Sequence, residues 1–179
     1  MAFDLNQFKK TAKEKLEWLS QELQGIRTGR ATPALLDSVS VEVYGSRMKL
    51  SQVANITVED ARTLYVNPWD KGQVKDIEKA ITMADLGVSV GSDDKGVRVS
   101  FPELTAERRG QLVKLVRGKL EEARVHLKTA RSKAVSDMED DEPSEDMQKR
   151  HKDEIQKVVD ETNKAFEDLT DKKEKELNS

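Results

Sequence analysis

The hydrophobic period of this chain changes twice along its length, and that constrains the fold more than any other feature. Leu5, Phe8, Ala12, Leu16, Leu19, Leu23 and Ile26 recur at steps of three and four, which keeps them on one helical face. Leu112, Val116, Leu120, Ala123, Leu127, Ala130, Ala134 and Met138 step in the same way. So do Met147, Ile155, Val158, Thr162, Phe166, Leu169 and Leu177. Between the first and second stripes the period falls to two, with Val39, Val41 and Val43 alternating with Ser40 and Glu42. Further β-branched runs lie at 53–58, 63–66 and 97–101, and Tyr44-Gly45-Ser46 and Asp94-Lys95-Gly96 supply turn chemistry. One helix is predicted inside this stretch, with Val74, Ile77, Ile81 and Ala84 turned inward and Gly87 as its C-cap.

A helix with a single apolar stripe is marginal alone in water, so three such stripes predict one bundle. Asp4 with Gln7 is the expected cap of the first helix, whose end Gly25 and Gly29 weaken; Thr105 caps the second, and Ser144, with Glu145 and Asp146 behind it, the third. A helix of about 35 residues is roughly 50 Å long, so the bundle is elongated. The predicted class is α+β: a three-helix bundle from residues 1–29 and 105–179, with a small β/α/β domain, 31–104, inserted in it. Two connectors, near 29–33 and 101–105, join the parts. Gly29, Thr32, Pro33 and Pro102 are the candidate hinge residues, since two short parallel links restrict direction where one would be a free tether.

Composition narrows the function classes. With no cysteine there is neither a disulfide framework nor a thiolate metal site, which fits a reducing compartment. No apolar run is long enough to span a membrane, and Met1-Ala2-Phe3-Asp4 shows no export signal, so a cytoplasmic protein is expected. The net charge of −3 argues against a nucleic-acid partner until it is resolved by segment. Residues 105–135 carry nine Lys/Arg against three Asp/Glu, and residues 136–146 carry none against seven.

The basic segment is the strongest candidate site. At 100° per residue, Arg117, Arg124, Lys128 and Arg131 fall within roughly 60° of one another, with Lys114 alongside. Few acids of the same helix share that face, so its charge is expected to stand open, and Arg27 and Arg30 add to it. Arginine grips phosphate with a planar fork, and the stripe lacks aromatic rings to stack bases, so backbone and shape recognition of RNA is the predicted mode. The rival reading is a helical protein-interaction module that meets acidic partners through the same stripe. Catalytic signals are weak: His126 and His151 have no cysteine to join them, His126 reads as a packed histidine, and no phosphate loop or nucleophile elbow is present. The acidic run 137–146 lacks the glycine and alternation of a calcium loop and reads as a solvated hairpin tip. No cofactor, no metal and no enzymatic activity are expected.

IRTGRA at 26–31, VEVYG at 41–45, VEDARTL at 58–64, NPWD at 67–70, IEKAI at 77–81, FPELTAERR at 101–109 and EEARVHLKTARSKA at 121–134 resemble the bacterial-type ribosome recycling factors, colinearly over essentially the whole chain. The resemblance implies an L-shaped, tRNA-sized monomer that acts after translation termination. It implies binding to the large ribosomal subunit and its 23S-type rRNA, across the A and P sites, with subunit splitting by elongation factor G and GTP. It maps the RNA-contacting arginines onto Arg27, Arg30 and Arg131. Lys128 stands where the family usually has an arginine, and Arg124, Arg117, Arg108 and Arg109 complete the candidate rRNA-binding set.

Overall fold

A computed structural model describes residues 3–178; Met1 and Ala2 of the N-terminal reading, and Ser179 at the end of the predicted bundle, lie outside it. The chain divides into two compact units. One comprises the described residues up to Thr28 and from Ala106 onward, the other Gly29–Thr105.

The first unit is three helices, α1 (Leu5–Gln24), α4 (Ala106–Asp141) and α5 (Glu145–Asn178), each packed on the other two. Their stripes meet as the periodicity predicts. Phe8, Ala12, Leu19 and Leu23 of α1 are buried with Leu112, Val116, Leu120, Ala123, Leu127 and Met138 of α4 and Ile155, Val158, Phe166 and Leu177 of α5. Two threonines lie in this core. Thr162 donates to the Val158 carbonyl (2.7 Å) and Thr170 to that of Phe166 (2.9 Å), so neither hydroxyl is left without a partner. Asp4 caps α1 through the Asn6 N–H (2.9 Å), two residues on, where the expected box would run to Gln7. Ser144 Oγ accepts the Met147 N–H (3.4 Å) at the start of α5.

Two details of the stripes differ from the periodic reading. Met147 is 37% exposed, because the first turn of α5 rises past the end of the core. Leu169 is only half-buried, and Thr170 and Val159 take inward positions, the drift expected when a 3.6-residue helix carries a stripe over many turns. The acidic run forms the tip of the α4–α5 helical hairpin, and its carboxylates are exposed apart from half-buried Glu142. α4 continues through Asp141, leaving residues 142–144 as the turn, and Lys133 pairs with Asp137 (2.6 Å) while Lys152 pairs with Glu139.

The second unit holds β1 (Ser40–Val43), β2 (Ser46–Lys49), α2 (Leu50–Val53), β3 (Ala54–Asp60), β4 (Thr63–Pro68), α3 (Val74–Met83), β5 (Ser89–Ser92) and β6 (Val97–Ser100). β1 and β2 form a hairpin; the other four strands form an antiparallel sheet in the order β3-β4-β6-β5. α3 packs against β1, β5 and β6, and Leu36, Val41, Leu50, Leu64, Val66, Ile77, Ile81, Val97 and Val99 are fully buried among these elements. β2 and β5 go unpredicted because Ser-Arg-Met-Lys and Ser-Val-Gly-Ser carry almost no β-branched signal; their conformation comes from pairing with β1 and β6. The single-turn α2 also goes unpredicted, and it takes Val53 out of the run 53–58 read as strand. α3 ends at Met83 with exposed Ala84 as its C-cap, so Gly87 is not the cap but a later turn residue at φ 70°.

The entry and exit of this unit are tied to a single turn. The Ala31 N–H donates to the Ala61 carbonyl and the Phe101 N–H to that of Arg62, each at 2.8 Å. The Arg62 guanidinium also pairs with Glu103. Gly29 takes φ 78°, the left-handed conformation that favours glycine, and a Cβ there would press on the Leu104 side chain at 3.0 Å. Pro33 opens a short 3-10 helix, Pro33–Leu36, that anchors buried Leu36, so it belongs to the folded unit.

Candidate nucleic-acid interface

Arg117, Arg124 and Arg131 lie at heptad spacing on α4, which brings them to nearly the same side of the helix. The antiparallel α5 answers with its own heptad row, Glu174, Glu167 and Asp160. At the first rung Arg117 Nε donates to Glu174 Oε1 (2.5 Å) and Nη2 to Oε2 (3.0 Å), a two-pronged bond. The Glu174 carboxylate raises the Arg117 pKa, first through these bonds and then through its charge. At the second rung Arg124 donates to Glu167 and, through Nη1, to Glu121 (2.7 Å). The expectation that acids are scarce on this face is therefore wrong. It counted the acids of one helix, and those that matter arrive from the next.

The third rung is different. Arg131 Nε donates to the amide oxygen of Gln156 (2.9 Å), and the Gln156 Nε2 donates to Asp160 Oδ1 (2.8 Å). Lys128 is exposed and makes no ion pair among the described residues. Cationic charge on the stripe is consequently open toward Lys128 and Arg131 and matched by carboxylates toward Arg124 and Arg117. The heptad acids 160, 167 and 174 were the signal that could have revealed this.

The remaining candidates differ in accessibility. Arg27 is exposed beyond the end of α1, with no partner among the described residues. Arg108 is exposed and donates to Gln111 Oε1 (3.2 Å). Arg109 is half-buried, and its Nε is enclosed without an acceptor. Arg30 is exposed in the second unit. Both histidines pack on rings: His126 meets Trp18 edge-on at 4.9 Å between centroids, and His151 meets Phe3 at 4.9 Å. Among the described residues no group of His, Asp or Glu is placed to hold a metal, and no helix is long and apolar enough to cross a membrane.

The second unit exposes two aromatic side chains that the sequence reading did not single out. Tyr44 (89% exposed) sits with Gly45 in the β1–β2 turn, both at positive φ, and its hydroxyl donates to Asp70 (2.8 Å) beside Trp69 (70% exposed). On the outer face of the sheet Arg98 lies over the Tyr65 ring and bonds Glu59 and Asp93, which neutralises it.

Residues 19–177 match the family described as ribosome recycling factor. The ribosome-recycling factor of Thioalkalivibrio sulfidiphilus is 48% identical over 177 residues, covering 94% of this chain and 96% of that one. A solution structure of a ribosome recycling factor superposes with a TM-score of 0.67 at 35% identity, covering 99% of each chain. A second, at 39% identity, TM-score 0.61 and 100% of both chains, belongs to a description of the T. thermophilus ribosome recycling factor and E. coli elongation factor G bound to the E. coli post-termination complex.

Proposed function

The chain belongs to the ribosome recycling factor family, and from that premise we propose that it recycles ribosomes after termination. It binds the large subunit through 23S-type rRNA and, with elongation factor G and GTP, splits the post-termination complex into subunits. The observation that carries this reading is the full-length match to a relative described on a post-termination complex with elongation factor G. The open end of the α4 stripe supports it, because a cation without a carboxylate partner is free to neutralise a phosphate.

Arg131 and Lys128 are the primary anchors, with Arg27, Arg30, Arg108 and Arg109 adding contacts; Arg117 and Arg124 engage only by exchanging a carboxylate for a phosphate. The second unit swings on two connectors, at Gly29 and at Pro102, and the tie of both its ends to the 61–62 turn supports a motion of the unit as one piece, with Thr32 and Pro33 carried inside it. The protein acts as a non-catalytic wedge driven by its partner's GTP hydrolysis.

Light scattering of purified ribosomes with this chain, elongation factor G and GTP tests the reading. Scattering should fall only when all three are present; a chain that co-sediments but leaves scattering unchanged refutes splitting. Arg131→Glu should abolish co-sedimentation with helical content intact, and undiminished binding removes the stripe from the mechanism. A complex insensitive to salt would instead favour the protein-interaction reading.

A further inference from the structure

We propose that Gln156 and Asp160 are positioning residues that keep Arg131 aimed and free of a carboxylate partner for a phosphate; this rests on the reading of Arg131 as an RNA anchor. The three rungs share one register, in which each step of seven along α4 meets a step of seven back along α5. At the first two, a glutamate reaches its arginine directly. At the third the acid is an aspartate, one methylene shorter, and it bonds the Gln156 amide instead.

That substitution has two consequences. The Asp160 carboxylate takes the Gln156 N–H, so the amide must turn its oxygen to Arg131. The Arg131 guanidinium is thereby oriented by one bond at Nε, while its two terminal nitrogens make no bond among the described residues. Its acceptor is also neutral. A phosphate approaching Arg117 must displace a two-pronged carboxylate, whereas at Arg131 it meets a guanidinium with no carboxylate bonded to it, on a half-buried, already oriented stem. Lys128, the nearest cation on the stripe, stays exposed, and Asn163, in register with it on α5, is neutral too, so the acid of the α5 row at this end, Asp160, reaches the stripe only through the Gln156 amide.

Asp160→Glu tests this without changing charge. The added methylene completes the third ion pair, so large-subunit affinity should fall by about threefold to tenfold, and the slope of log K against log salt should flatten by about 0.7–0.9, one phosphate's worth. Gln156→Glu should act alike. Thermal stability should hold or rise in Asp160→Glu, which gains an ion pair with no new charge, and it is the stability readout because Gln156→Glu also loses the amide bond to Asp160 and sets a like charge beside it; a merely structural role would lower stability together with affinity. In an Arg131→Ala background neither variant should weaken binding further, and additive losses overturn the proposal. If Arg131→Ala weakens binding while Asp160→Glu and Gln156→Glu bind as the parent does, the positioning role fails and the RNA anchor stands. If Arg131→Ala itself leaves binding unchanged, the anchor reading fails and takes the positioning role with it.

Discussion

Replacing Glu167 and Glu174 together by glutamine should strengthen binding to the large subunit. Each substitution is isosteric and removes one carboxylate that holds a stripe arginine: Glu174 at 2.5 and 3.0 Å from Arg117, and Glu167 against Arg124. Arg117 is 53% exposed and belongs to a solvent-screened pair, so the cost in bundle stability is small. The gain follows from counterion release. If each freed arginine neutralises one more phosphate, the slope of log K against log salt steepens by about 1.8 for the pair of substitutions, or about 1.4 on single-stranded RNA. Between 50 and 200 mM salt, a fourfold change, the double variant should then lose roughly sevenfold to twelvefold more affinity than the parent loses. Arg124 keeps Glu121, which sets these figures as upper values. The assay is co-sedimentation with large subunits at five or more salt concentrations, with far-UV circular dichroism as the folding control. An unchanged slope would refute the reasoning, since Arg117 and Arg124 would then face no phosphate whether paired or free.

Phe166→Ala should destabilise the bundle by about 3–5 kcal/mol, the range for emptying a fully buried phenylalanine site, read as a lower denaturant midpoint. Gly96→Ala should destabilise the second unit by about 1–3 kcal/mol, because the new Cβ would stand 2.4 Å from the Val66 carbonyl oxygen and 2.9 Å from Tyr65 Cζ; a wild-type melting curve would contradict the crowding. Asp93 accepts the N–H groups of Lys95 and Gly96, the main causes that hold its pKa below the usual carboxylate value. With the folded value lowered, its stabilisation is complete above about pH 4 and is lost as pH falls through the folded value, so Asp93→Asn should flatten the acid unfolding of this unit in that window.

The fold was legible wherever a period was long. Seven apolar positions at helical steps leave α1 little choice, and the same holds for α4 and α5. Short strands with little or no β-branched signal were not legible: β2 and β5 exist because β1 and β6 supply hydrogen-bond partners, and pairing of that kind leaves no local mark. The candidate site divides along the same line. That Arg117, Arg124, Lys128 and Arg131 share a face is one-helix arithmetic. Which of them is already answered by an acid depends on α5, more than thirty residues away for Arg124 and Glu167.

By itself, then, the sequence determined that there are three amphipathic helices, that a β-rich segment is inserted in the chain between the first and second, and that one helix carries a concentrated positive face, because periodicity and charge are properties of neighbouring residues. The tertiary structure alone decided the state of that face. Antiparallel packing set α4 and α5 in a common heptad register, and at the third rung a glutamine amide meets the arginine where the first two rungs have a carboxylate. Register and reach exist only once two helices are side by side, so no reading of either helix in isolation contains them.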